Sequence, residues 1–321
     1  MLRRVIFIAL LLFVAVPSRW VSPPIALVVG VLFGLVVPHP YPAASRRLAR
    51  ILLQVSVVAL GFGMNFGEVL RAGASGFVYT LLGIGFALAV GTLVGRILSV
   101  PGKAAYLISV GTAICGGSAI AATGPVINAS DEEMSVSIGT VFLLNAFGLF
   151  LFPPVGHALG LTESQFGLWA ALAIHDTSSV VGAAAKFGAV ALTIATIVKL
   201  VRALWIVPLT LATASVLAAR ARREHREGPV RKPIEWPWFI VFFLVAAVLR
   251  SYVPTLAPIY PWLSEAGRIG LTVTLFLIGT GMSRASLRQV GMRPLVQGVL
   301  LWIIVAVSSL LVIRAGWVSV A

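Results

Sequence analysis

Ala170-Ala171-Leu172-Ala173-Ile174-His175-Asp176-Thr177-Ser178-Ser179-Val180-Val181-Gly182-Ala183-Ala184 sets an imidazole, a carboxylate and three hydroxyls in the middle of an apolar run. Whether that run faces water or lipid decides the fold, and the rest of the chain answers. Of its 321 residues 59% are hydrophobic and only 11% are charged, with a mean hydropathy of +1.03. Soluble domains hold about 45–50% apolar and about 25% charged residues. A soluble core cannot hide this much apolar surface, so the solvent for most of it is lipid.

A helix needs about 20 apolar residues to cross the hydrocarbon layer. Apolar runs between charged or Pro/Gly breaks give eleven expected spans: 3–17, 22–38, 48–66, 75–97, 104–127, 134–156, 164–184, 188–218, 237–253, 266–283 and 294–315. Arg3 and Arg4 before Val5–Val16 resemble a signal peptide. No clean small-residue cleavage site follows, so the segment reads as an uncleaved first span. The net charge of +14 does not indicate nucleic acid, because the basic residues sit at span ends rather than on one face or arm. With the N-terminus in the cytoplasm, about 16 Lys and Arg fall inside and about 6 outside. The Asp131-Glu132-Glu133 turn and the C-terminus are then expected outside, in a bacterial inner membrane. Trp20, Trp236, Trp238, Trp262 and Trp317 lie at span ends, where amphipathic rings favour the interface. The single Cys115 excludes an intrachain disulfide framework and a multi-cysteine zinc site. No metal or cofactor is expected.

Two internal echoes bear on architecture. Leu60-Gly61-Phe62-Gly63-Met64-Asn65 ends the third span and Ile278-Gly279-Thr280-Gly281-Met282-Ser283 ends the tenth; spans seven apart run in opposite directions, as inverted repeats require. Ala113-Ile114-Cys115-Gly116-Gly117-Ser118 matches Ala173-Ile174-His175-Asp176-Thr177-Ser178 in spans five and seven, which are expected to run parallel. One simple duplication does not explain both. The preferred scheme is an extra N-terminal helix (1–20) followed by a five-plus-five inverted pair, 21–158 and 159–321, with a basic cytoplasmic linker at 219–235. It pairs span five with span ten. The second echo lies outside that scheme, either as two half-sites facing each other or as chance in a biased composition.

Polar backbone at membrane depth is tolerated only where protein or water satisfies it. Three stretches qualify as substrate-binding candidates: Cys115, Gly116, Gly117 and Ser118; Thr177, Ser178 and Ser179; and Gly279, Thr280 and Gly281. Helices broken there would turn positive N-terminal ends toward anions and negative C-terminal ends toward cations. Close packing of small residues is the alternative for the Cys115–Ser118 stretch. Intramembrane ionisable groups are costly and face a partner or a water path, so His175 and Asp176 are candidates for coupling to H+ or Na+. Lys199 and Arg202, one helical turn apart on span eight, suit an anionic substrate, an ion pair with Asp176, or snorkelling to headgroups. Asn65, Asn145 and Gln54 are secondary candidates, each equally explained as an amide bonding across helices.

These motifs place the chain beside a known family. Cys115-Gly-Gly-Ser-Ala-Ile-Ala-Ala122, Ala173-Ile-His-Asp-Thr-Ser-Ser-Val-Val-Gly182 and Leu60–Asn65 resemble the YeiH-type sulfate exporter family, through most of the chain from the second span onward. The resemblance implies an inverted-repeat fold with crossing broken helices, a mobile core moving against a scaffold, and sulfate or a related small anion as substrate. A homodimer through the scaffold helices is expected by the same analogy. No Walker-type Gly-x-x-x-x-Gly-Lys-Ser/Thr motif is present. A secondary transporter that exports a small inorganic or sulfonate-derived anion is therefore the leading expectation. An intramembrane enzyme using Ser118 or Cys115 with His175, and a channel, are the alternatives.

Overall fold

The computed structural model describes residues 2–16, 21, 23–223, 238–281 and 291–318. The Pro17–Trp20 turn, most of the basic linker, Trp236, and Met282 and Ser283 with Arg284 and Arg288 lie outside the described residues. Those described are helical, with no strand among them.

The first four helices are α1 (Leu2–Ala15), α2 (Pro23–Val36), α3 (Pro42–Gly61) and α4 (Phe66–Ile97). Asn65 caps α4 by accepting from Gly67 N at 2.8 Å, which explains this exposed amide as a helix start. Next come α5 (Gly102–Ala113), the short α6 (Gly117–Thr123) and the long α7 (Asp131–Ala158). The order continues with α8 (Glu163–Ala173), α9 (Thr177–Phe187), α10 (Ala189–Leu204) and α11 (Ile206–Arg223). Last are α12 (Trp238–Tyr252), α13 (Tyr260–Thr280) and α14 (Met292–Arg314). Reciprocal capping boxes start α7 (Ser130 with Glu133) and α8 (Thr162 with Gln165). Among the described residues, four helical segments are long and apolar enough to cross a membrane: Tyr79–Ile97, Glu132–Ala158, Ala189–Ala219 and Met292–Arg314. Their outer surfaces expose Leu82, Leu93, Phe147, Leu211 and Leu311, as lipid contact requires. The chain is a helical, multi-pass membrane protein.

Two of the expected spans do not cross. Lys103, at the start of α5, donates from Nζ to Asn128 O at 2.7 Å, just beyond α6. A straight helix would part these residues by about 37 Å. A methyl added to Gly111 would lie 2.9 Å from Ile120 Cδ1, so α6 folds back along α5. Segment 104–127 is thus a re-entrant hairpin, and the Asp131-Glu132-Glu133 turn lies on the same face as Lys103, not the opposite one. Segment 164–184 does the same from the other face. Glu163 Oε2 accepts from Val190 N at 2.7 Å and Ala191 N at 3.3 Å, and Phe166 stacks on Phe187 at 3.8 Å. The expected crossing pair of broken helices is replaced by two hairpins. Glycine pairs and polar residues in mid-span signal a break, but a break followed by continuation and a break followed by reversal look alike in sequence.

The helices sort into two groups. α2, α3, α12 and α13 pack on one another, with α1 against α13. α4, α7, α10 and α14 surround the hairpins. The groups meet along a limited seam between α4 and α12, α9 and α13, and α2 with α7 and α9. α3 and α13 are antiparallel, because Gly63 meets Ser264 while Ser56 meets Gly270. α4 and α14 are antiparallel too, with Gly91 by Leu301 and Gly95 by Gln297.

Candidate functional site

The hairpin tips meet. Both expected break points are where the helices end: α5 stops at Ile114 (φ −119°, ψ −88°) and α8 at Ile174 (φ −83°, ψ 133°). Gly116 turns the first tip at φ 68°, ψ −129°, a conformation that suits glycine. A methyl on Gly116 would lie 3.6 Å from Asp176 Cα and Cβ, which fixes the closeness of the two tips. Asn145, the fifteenth residue of the 28-residue α7, accepts from Asp176 N at 3.0 Å, so the meeting point lies midway along a membrane-crossing helix. The residues of the 113–118 and 173–178 echo thus lie at the two facing tips.

Helix ends leave backbone groups without intrahelical partners, and those of α8 can be followed one by one. Ala171 O accepts from Arg202 Nη1 at 3.1 Å and Lys199 Nζ at 3.4 Å; Leu172 O accepts from Arg202 Nη1. Ala173 O accepts from Trp302 Nε1 at 3.1 Å, and Ile174 O from Lys199 Nζ at 2.8 Å. On the first hairpin Arg202 Nη2 reaches Thr112 O at 2.9 Å and Nε reaches Ala113 O, while Gly116 N closes on Gly111 O at 2.8 Å. Two cations of α10, at 0% and 1% exposure, therefore tie the C-terminal ends of half-helices that enter from opposite faces. The negative dipole ends explain the choice of cations. This differs from the sequence expectation: their donors go mainly to carbonyls. Among the described residues neither forms an ion pair with Asp176, and burial at this depth excludes snorkelling.

The N-terminal end of α9 is closed by its own residue. Asp176 is the N-cap, with Oδ2 accepting from Ser178 N at 3.0 Å and from Ser178 Oγ. Thr177, Ser178 and Ser179 form the buried first turn; Gly117 and Ser118 open α6. Three buried polar groups around the tips have no hydrogen-bond partner: both ring nitrogens of His175, Asn145 Nδ2 and Thr112 Oγ1. No hydrogen bond joins His175 to Cys115 or Ser118, so the nucleophile–base pairs considered above are not formed.

Gly279, Thr280 and Gly281 are not joined to the hairpin tips by any such contact. α13 runs unbroken to Thr280, and a methyl on Gly279 would lie 2.6 Å from Leu27 O and 2.8 Å from Val31 N. Gly279 is a notch for the α2 backbone, a small-residue packing contact. Thr280 Oγ1 bonds His39 Nε2 at 3.0 Å, and Gly281 caps α13. Gln54 sits half-buried on α3. Sequence reasoning missed Thr112, Trp302 and Gln297. Gln297 Nε2 donates to Gly91 O and Ala105 O, both at 3.0 Å, fastening α14 to α4 and the first hairpin. An amide and an indole in the interior of an apolar span were the available signals.

The family model described as "Conserved hypothetical protein 698" matches residues 5–298. The chain belongs to the UPF0324 membrane protein family. A UPF0324 membrane protein of Bacteroides thetaiotaomicron is 47% identical over 295 residues, covering 91% of this chain and 86% of that one. Relatives under the same name are 46% identical in Bdellovibrio bacteriovorus (93% and 91% covered) and 44% identical in Geobacter sulfurreducens (98% of each). The family resemblance drawn from the 113–122 and 173–182 motifs is borne out. No solved structure matches the chain.

Proposed function

We propose that this protein is a secondary transporter, not an enzyme, which moves a small oxyanion such as sulfate across the bacterial inner membrane by coupling it to protons. The observation that carries the reading is the mid-membrane meeting of two opposed re-entrant tips. Around them lie Asp176, Lys199, Arg202, the unpartnered His175 ring and the unpartnered Nδ2 of Asn145. With Lys199, Arg202 and Asp176 all ionised the net charge is +1; a proton on Asp176 raises this to +2, which a dianion neutralises. The Asp176 carboxylate occupies the amide end of α9, the kind of helix end that binds anions. Carboxylate and substrate compete for it, and protonation of Asp176 releases Ser178 N to the substrate. Proton and anion then load together.

Alternating access follows from the two helix groups. The α2–α3–α12–α13 panel serves as scaffold, and the hairpins with α4, α7, α10 and α14 move against it as an elevator. A cavity of 540 Å³ opens along that seam between α9 and α13, lined by Val181, Gly182, Leu271, Thr272 and Leu60. We group the chain as α2–α4, the first hairpin with α7, the second hairpin with α10–α11, and α12–α14. The outer blocks mirror each other and the inner blocks mirror each other. This regrouping accommodates both echoes around the 158/159 boundary. With the N-terminus inside, nine crossings leave the C-terminus outside and the Asp131 turn inside.

The test is uptake of labelled sulfate into proteoliposomes under an imposed pH gradient, for wild type and Asp176→Asn. Saturable, gradient-driven uptake by wild type and gradient-independent exchange by Asp176→Asn are expected. Coupling that survives in the variant refutes the role of Asp176, and no sulfate flux by folded wild type refutes the substrate.

A further inference from the structure

We infer that the Lys199 ammonium and the Arg202 guanidinium are built-in replacements for a transported metal cation, so that the hairpin tips take the anion without Na+ or K+. This rests on the transporter reading above and decides its coupling ion. Half-helix C-terminal ends and unwound carbonyls are where such proteins hold Na+. Here that surface includes the carbonyls of Thr112, Ala113, Ala171, Leu172, Ala173 and Ile174. Five of the six carbonyls accept from Lys199 or Arg202, and Ala173 accepts from Trp302.

Geometry favours permanence. Arg202 bridges both hairpins at once, spending Nε, Nη1 and Nη2 on four carbonyls. A planar fork of fixed N–H donors suits that task better than a mobile ion. Both side chains spring from the same face of α10, which packs parallel to α8, with Gly167 beside Ala191 and Ile194. The cations consequently travel with the hairpins and cannot dissociate. The carboxylate that would complete a Na+ site is already engaged: Asp176 Oδ2 accepts from Ser178 N and Ser178 Oγ. Among the described residues there is no group of three or more His, Cys, Asp or Glu side chains placed to hold a metal ion elsewhere. What remains unengaged at the tips suits an anion and a proton: the hydroxyls of Ser118 and Thr177, and the imidazole of His175.

The test reads cation binding apart from transport. Thermal unfolding of purified protein in detergent is followed in NaCl, KCl and choline chloride at equal ionic strength, for wild type and Lys199→Met. Sulfate uptake is measured in the same three salts. Wild type is expected to melt at one temperature in all three. Lys199→Met, with Ile174 O released, is expected to gain about 5 °C from saturating Na+ relative to choline. A wild-type midpoint that climbs saturably with Na+ overturns the inference whether or not the variant folds. So does a folded Lys199→Met protein indifferent to Na+. Sulfate uptake by wild type that requires Na+ overturns it as well, while leaving anion transport intact. Absence of sulfate uptake in every salt, with the melting results as expected, overturns the transport reading and leaves the cation replacement standing.

Discussion

Replacing Arg202 by Met removes one side chain and strands backbone at two helix ends. Ala171 O keeps Lys199, but Thr112 O, Ala113 O and Leu172 O lose the side-chain donors that satisfy them. Each buried group left unpaired costs about 1–3 kcal/mol. Local relaxation limits the total to about 3–5 kcal/mol, the usual loss on breaking a buried charged contact from one side. For a chain of this length that lowers the unfolding midpoint by about 4–7 °C. The assay is built into the protein: the single cysteine, Cys115, is buried at the first hairpin tip, two residues from Ala113. A thiol-reactive fluorophore therefore reports opening of the tip directly. Arg202→Lys should fall between wild type and Arg202→Met, since an ammonium cannot reach all four carbonyls. A midpoint for Arg202→Met within about 2 °C of wild type would refute the idea that this side chain holds the hairpins together.

Two further perturbations probe the frame. Gly116→Ala forces a side chain into a positive-φ turn and against Val141 Cγ1 at 3.2 Å, so a loss of about 1–3 kcal/mol is expected in the same melting assay. His39 ties the α2–α3 connection to α13 through Thr280, and its Nδ1 accepts from Tyr41 N at 2.9 Å, which requires the neutral ring. Burial, and then Arg46, hold its pKa below the ordinary 6.5. The folded state therefore binds fewer protons than the unfolded one. The contribution is complete above pH 6.5 and is lost as pH falls through the lowered folded value. Wild type should thus lose more stability than His39→Gln between pH 7.5 and 5.5, and parallel curves would argue against the latch.

Much of this architecture is written in hydropathy. The membrane class, the ends of α7, α10–α11 and α14, and the two break points at Cys115–Gly117 and His175–Asp176 can be read directly from apolar runs and the polar groups that interrupt them. The i, i+3 placement of Lys199 and Arg202 on one face is equally legible. Their partners are not, because backbone carbonyls carry no residue signature; only the fold shows that α5 and α8 end against α10. Reversal of α6 and α9 is hidden for a related reason. It is recorded by Lys103 meeting Asn128 and Glu163 meeting Val190, contacts between residues 25 and 27 apart whose types are ordinary at any helix end. Gly279–Gly281 misleads because a glycine that admits a neighbouring backbone looks like one that breaks a helix.

The central structural claim is that the two hairpins enter from opposite faces and return to them. It is tested most directly by sided labelling of single cysteines in a Cys115→Ala background, placed at Lys103, Asn128, Ser164 and Lys186, in sealed vesicles of one orientation. The account predicts that positions 103 and 128 react with an impermeant maleimide from one side, and positions 164 and 186 only from the other. Labelling of 103 and 128 from opposite sides would make segment 104–127 a crossing helix and contradict the account.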